Sequence, residues 1–384
     1  MDFLVLKDSV YSSPAFVLDE TEITRTLATL ADLRTQCGCK VLYSIKSLPF
    51  SSVMEIAKPF VDGFSVSSLF EARLADEIIR QGSSQEGNIH LTTPGIRSDE
   101  LEELSLLCSH ISFNSLNQYQ RYAETAQAQS SIGLRVNPKL SFLHDDRFDP
   151  CRQHSKLGVA IDELSRSIRL DQIQGLHIHN VFSATDFTPL IQTIDQLQRY
   201  LGIGLAELEW LNIGGGYLFG QIEDYRPFID MVRKLRHDFG IEVYIEPGKA
   251  VVGKAGYLVA TVLDSFVSDG ETVVILDTSI NHNPEVFEYQ RRPELYEHDP
   301  DGQYSAILAG CTCLAGDVFG KYRFKEPLGL GDKVIFKNVG AYTLIKANRF
   351  NGYNLPDIYM SNSLRLKELK HYDYQDYRRQ WLAD

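Results

Sequence analysis

The sequence predicts a (β/α)8 barrel followed by an all-β domain, and three observations predict it. Between residues 38 and 250 a short, apolar, β-rich run is followed by a longer amphipathic stretch, eight times over. Past residue 254 the helical stretches stop, leaving short runs separated by Gly, Asp and Pro. The length, 384 residues, suits that division, since roughly 150 residues per domain gives two domains or one large barrel with an appendage.

The eight runs are 40–47, 63–68, 89–93, 111–116, 133–138, 173–179, 209–215 and 243–248. Segments such as 69–81, 187–201 and 225–239 lie between them with apolar residues at three- and four-residue spacing, the stripe of a helix buried on one side. Eight units of about 25 residues are what such a barrel needs, and its site lies at the C-terminal strand ends. The later runs are 257–266, 272–277, 304–310, 333–338 and 342–346. Residues 13–18 read as a strand ahead of the first long helix, 22–36, and are expected to join the C-terminal sheet. The expected domains are therefore a barrel over 22–253 and a β domain built from 1–21 and 254–384.

Composition narrows the function. With 38 Lys plus Arg against 51 Asp plus Glu, the net charge of −13 repels phosphodiester backbones, so nucleic acid is not an expected partner. No run approaches the ~18 apolar residues of a membrane span. The start, Met1 to Asp8, carries acids where a signal peptide is basic and then apolar. Cys37, Cys39, Cys108, Cys151, Cys311 and Cys313 are too sparse for a disulfide scaffold. A cytoplasmic protein without membrane contact is expected. No metal is expected either, because the two CxC pairs are narrower than usual zinc spacing.

Polar residues and glycines gather at the strand ends. Lys46 closes the first run, where desolvation would lower its pKa and leave an amine able to form a Schiff base; a lysine reaching for solvent is the ordinary alternative. Gly214, Gly215 and Gly216 follow the seventh run and allow backbone N–H groups to approach an anion, or simply make a tight turn. Glu246, in Glu246-Pro247-Gly248, puts a carboxylate at the mouth. His177 and His179 share a face of the sixth strand, as site residues or as packing. In the β domain, Cys313 and Asp317 sit four residues apart in Gly310–Asp317, and Tyr342 and Asn351 lie in Gly340–Thr343 and Phe350–Gly352.

These segments, with Phe113–Leu116, Gly133–Arg135, Asp149–Cys151 through Ser155–Gly158, Gly175–His179, Ile275–Ser279 and above all Thr312–Asp317, resemble the fold-type III pyridoxal-phosphate decarboxylases. That group has an alanine racemase-like TIM barrel with a C-terminal β-sandwich or β-barrel domain. Within it the sequence is most similar to carboxynorspermidine (carboxyspermidine) decarboxylases. The resemblance implies that Lys46 attaches pyridoxal 5'-phosphate, His179 stacks on its ring, and Gly214, Gly215, Gly216 and Tyr342 hold its phosphate. It further implies that Glu246 pairs with the ring nitrogen, supported by Arg135. Cys313, as proton donor, and Asp317, toward the substrate's distal amine, would come from the partner subunit of a homodimer with shared sites.

The implied reaction converts carboxynorspermidine or carboxyspermidine to norspermidine or spermidine in polyamine biosynthesis. Two positions depart from that pattern: Ser183 and Lys249 stand where acids are typical, and Lys249 is placed to reach the cofactor phosphate. Decarboxylation of ornithine, arginine, diaminopimelate or an anionic aminocarboxypropyl compound is the alternative. An inactive antizyme-inhibitor-like homologue is the non-enzymatic one, opposed by the presence of Lys46, Glu246 and Cys313.

Overall fold

The computed structural model describes residues 2–81, 87–362 and 365–383. The chain gathers into two compact units, Thr24–Ala250 and Met1–Ile23 with Val251–Asp384.

The first unit is a closed parallel barrel. Its strands are Lys40–Ser44, Gly63–Val66, Asn88–Thr93, His110–Phe113, Ser131–Asn137, Gly175–Ile178, Trp210–Asn212 and Glu242–Ile245, each bonded to the next and the last to the first. Several expected runs overshoot these strands because their polar ends turn immediately into helices. After Gly63–Val66, Ser68 accepts a hydrogen bond from the Glu71 N–H and caps Leu69–Arg80. Ser115 does the same for Leu116–Ala126 through the Gln118 N–H, and so ends the fourth strand at Phe113. The helix Leu69–Arg80 buries Leu69, Ala72, Ala75, Ile78 and Ile79, and each large side chain so removed from water contributes about 1.5–3 kcal/mol.

Near the N-terminal strand ends the barrel is filled by Leu42, Trp210 and Tyr244. A Cβ on Gly175 would lie 2.0 Å from the Trp210 ring and one on Gly133 2.6 Å from it, so two neighbouring strands are bare where the indole lies. Beside it His90 stacks on His110 at 3.8 Å. Burial holds His90 well below the ordinary imidazole range and brings His110 down to about 4.

The second unit is a mixed sheet built around the long strand Gly256–Ser268. Its first half pairs with Ala15–Asp19 and Lys333–Lys337, and beyond the bulge at Val262–Asp264 its second half pairs with Glu271–Leu276. The N-terminal segment thus joins the C-terminal sheet, where it also runs parallel to Asp357–Asn362. Four strands of this sheet escaped the sequence reading: Glu294–Leu295, Val318–Phe324, Asp357–Asn362 and Arg365–Lys370. The expected strand over 342–346 is absent. Tyr342 has a left-handed φ of 59° and Leu344–Lys346 is a 3-10 turn, so the β-prone residues there are overruled by the backbone.

Candidate active site

Three strand ends of the barrel converge on one group of ionisable side chains. The first strand stops at Ser44, and Lys46 lies just past it in the turn Ile45–Ser47, a correction to its expected place on the strand. The Ser44 N–H donates to the Pro247 carbonyl at 3.0 Å, which sets that turn against Glu246-Pro247-Gly248. The sixth strand stops at Ile178, so His177 lies on it and His179 follows it. Arg135 lies on the fifth strand, buried.

Glu246 is 4% exposed and carries most of the connections. Its Oε1 accepts from Asn212 Nδ2 at 2.8 Å, and its Oε2 faces His177 Nε2 at 3.4 Å. The Asn212 amide oxygen in turn accepts the Gly214 N–H at 2.9 Å, and the Glu246 N–H donates to the Gly214 carbonyl at 2.8 Å. His179 Nδ1 accepts the Gly215 N–H at 3.1 Å.

Side chains on the glycine turn have nowhere to go. A Cβ on Gly214, Gly215 or Gly216 would lie 2.3, 2.2 and 2.3 Å from the carbonyl oxygens of Ile178, Glu246 and Val181. Gly214 and Gly216 also have φ of 69° and 96°, in the left-handed region.

Electrostatics follow from burial. Desolvation pushes the Lys46 ammonium below its ordinary value despite Glu246, and Arg135 adds to the effect. Burial alone would raise Glu246, but His177 and Lys46 outweigh it and hold the carboxyl below the usual range. His179 is held well below the ordinary imidazole range, first by burial and then by Lys46 and Arg135, so its ring is neutral. Glu71, which the sequence reading passed over, lies within electrostatic reach of Lys46 and accepts the Ser67 N–H at 2.6 Å; burial raises its pKa. The same reading missed Asn212, whose signal is a lone amide in the apolar run Leu211-Asn212-Ile213.

Lys249 extends from the eighth strand's end with its ammonium 4.9 Å from the centre of the Phe182 ring, and Phe182 stacks on Phe148 at 5.5 Å. Ser183 follows in a left-handed conformation, φ 61°.

In the sheet unit, Cys313 is exposed and its N–H donates to Asn351 Oδ1 at 2.7 Å. Asp317 lies in the same segment. It is 3% exposed, its Oδ1 accepts the Ile280 N–H at 2.8 Å, and its Oδ2 accepts both the Thr312 N–H at 3.1 Å and the Thr312 hydroxyl at 2.5 Å. Both oxygens hold the loop, so Asp317 shapes Gly310–Asp317.

The barrel residues fit a group with an electrophilic carbon for Lys46, a basic ring nitrogen for Glu246 and an anionic end for the glycine turn. Residues 4–340 match the family described as pyridoxal-dependent decarboxylase, C-terminal sheet domain. The chain belongs to that family. It is a carboxy-lyase that uses pyridoxal phosphate. Its sequence is 30% identical to carboxynorspermidine/carboxyspermidine decarboxylase of Campylobacter jejuni, over 95% of this chain and 97% of that one. It is 33% identical to carboxyaminopropylagmatine decarboxylase of Synechocystis sp., over 95% and 94%. The crystal structure of the C. jejuni carboxynorspermidine decarboxylase complexed with norspermidine superimposes with a TM-score of 0.87 at 29% identity, covering 96% of this chain and 100% of that one. Among the described residues no helix is long and apolar enough to cross a membrane.

Proposed function

We propose that this decarboxylase acts on a carboxylated polyamine, carboxynorspermidine or carboxyspermidine, releasing norspermidine or spermidine, as a cytoplasmic homodimer with shared sites. The buried Lys46–Glu246 arrangement beside a glycine turn that admits no side chain carries the reading of the chemistry. The similarity to the C. jejuni protein supports the substrate.

When bound, pyridoxal phosphate supplies an electron sink for the pair of electrons left as CO2 departs. Lys46, its ammonium destabilised by burial, gives up its proton readily and so offers a nucleophilic amine. Glu246, kept ionised, holds a proton at the ring nitrogen. Neutral His179 would present a flat ring without adding charge, Arg135 would add positive charge beside it, and Gly214–Gly216 would seat the phosphate. The exposed Cys313 thiol, its backbone pinned by Asn351, returns a proton to the carbon that lost its carboxylate, serving the site of the partner subunit.

A second reading is a carboxylated amine whose distal end is not a simple ammonium, and the Lys249 ammonium over Phe182 favours it. The two separate in a panel of carboxynorspermidine, carboxyspermidine, carboxyaminopropylagmatine, ornithine, arginine, lysine and diaminopimelate, followed by CO2 release. The first two should give the highest kcat/KM. A higher value for any other member overturns the substrate assignment and leaves the cofactor chemistry standing.

A further inference from the structure

A carboxylate removed from water takes up a proton unless its oxygens are gripped. Glu246 is gripped on both sides, and each partner can act in only one sense. An ionised carboxylate only accepts, so His177 Nε2 carries the proton of that 3.4 Å contact. His177 Nδ1 is buried without a hydrogen-bond partner, which suits a bare lone pair far better than an N–H. The ring is therefore neutral with its proton on Nε2, and burial lowers its pKa in the same sense.

Asn212 is fixed as firmly. Its oxygen receives the Gly214 N–H, so its NH2 must point at Glu246, and turning the amide over would set oxygen against carboxylate. Because the Glu246 N–H also bonds the Gly214 carbonyl, the amide closes a ring that joins the acid to the glycine turn.

We propose that His177 and Asn212 are positioning residues that clamp the two oxygens of Glu246, hold the charge on that carboxylate, and fix it against the turn that seats the phosphate. The proposal rests on the reading of the site as a pyridoxal-phosphate site. Among the described residues, Lys46 in its turn, Arg135 on the fifth strand, His179 past the sixth and His90 on the third also act on this pair. Arg135 supplies positive charge. The clamp supplies direction.

With one clamp removed, the carboxylate becomes the better base and draws the shared proton from the cofactor's ring nitrogen. The test is 15N NMR of holoenzyme loaded with pyridoxal phosphate labelled at that nitrogen. In the wild type the signal should lie in the pyridinium range. In His177→Phe and in Asn212→Ala it should move toward neutral pyridine, with kcat lowered about ten- to a hundredfold, the span expected for one lost hydrogen bond to a charged group. His177→Gln, which keeps a donor near the Nε2 position, should restore most of both. If His177→Phe does not fold, Asn212→Ala read against His177→Gln makes the same distinction. A ring-nitrogen signal that stays at the wild-type position in the variants overturns the clamp. A wild type whose cofactor is not attached at Lys46 overturns the reading of the site, and the clamp with it.

Discussion

The ionisable cluster of the barrel and the loop Gly310–Asp317 of the sheet unit each contain a buried carboxylate, and the two carboxylates do opposite things. Glu246 is held by side chains, Asn212 and His177, beside a buried lysine and arginine, so its charge is balanced and available for chemistry. Asp317 is held by two backbone N–H groups and a threonine hydroxyl and so fixes the loop in which Cys313 is exposed. Gly310 belongs to the same construction, since a Cβ there would lie 2.2 Å from the Asp317 carboxylate. The two differ in their surroundings: Asp317 is bound mainly by main chain, Glu246 by side chains among cationic groups.

The strongest way to break this contrast is Lys46→Ala, which should abolish turnover and the borohydride-reducible adduct; an adduct that persists, or maps to another lysine, removes the barrel cluster from the chemistry. Cys313→Ala comes next, with kcat lowered about a hundred- to ten-thousandfold while the cofactor stays bound, as for loss of a positioned proton donor. Mixed Lys46→Ala and Cys313→Ala subunits should regain activity through one complete site per heterodimer. Verified subunit exchange without recovery refutes shared sites.

Asp317→Asn sharpens the comparison further. It should cost about 1–3 kcal/mol of stability in denaturant melts and lower kcat for every substrate alike. A rise in KM confined to the longest amine would show instead that Asp317 meets substrate.

Acid acts on the barrel, gradually and without any substitution. His90 and His110 are neutral when folded, with His110 at about 4 against about 6.5 when unfolded, so the unfolded chain binds protons first as pH falls. Their stabilisation is complete above about pH 6.5 and declines toward pH 4, by at most roughly 3 kcal/mol for His110. Urea midpoints measured across that range should flatten in His110→Phe.

The barrel was legible because its strands are short, largely apolar runs that recur at regular spacing between amphipathic stretches, the pattern of strands buried on both faces. The sheet unit was less so. Val318–Phe324 is interrupted by Gly320 in a left-handed conformation, and Arg365–Lys370 alternates charge with half-buried positions, a pattern too polar to stand out. Lys46, Glu246 and the glycines could be read from their place at strand ends. His177 and Asn212 could not be assigned roles, because what distinguishes them is a contact across the barrel with Glu246, far away in sequence. The bond from Ile280 to Asp317 was hidden for the same reason, since only the fold brings the two together.

The strand Ala15–Asp19 is fully buried, yet it finds its neighbours only in Gly256–Ser268 on one side and Asp357–Asn362 on the other. About 240 residues are made between it and its first neighbour, which at roughly 5–20 residues per second is a wait of about 10–50 seconds on the ribosome. Throughout that interval Ala-Phe-Val-Leu is an apolar edge without a partner, while the entire barrel sequence has time to be made and to close. Synthesis therefore sets an order of assembly in which Ala15–Asp19 is secured only after the whole barrel sequence has been made.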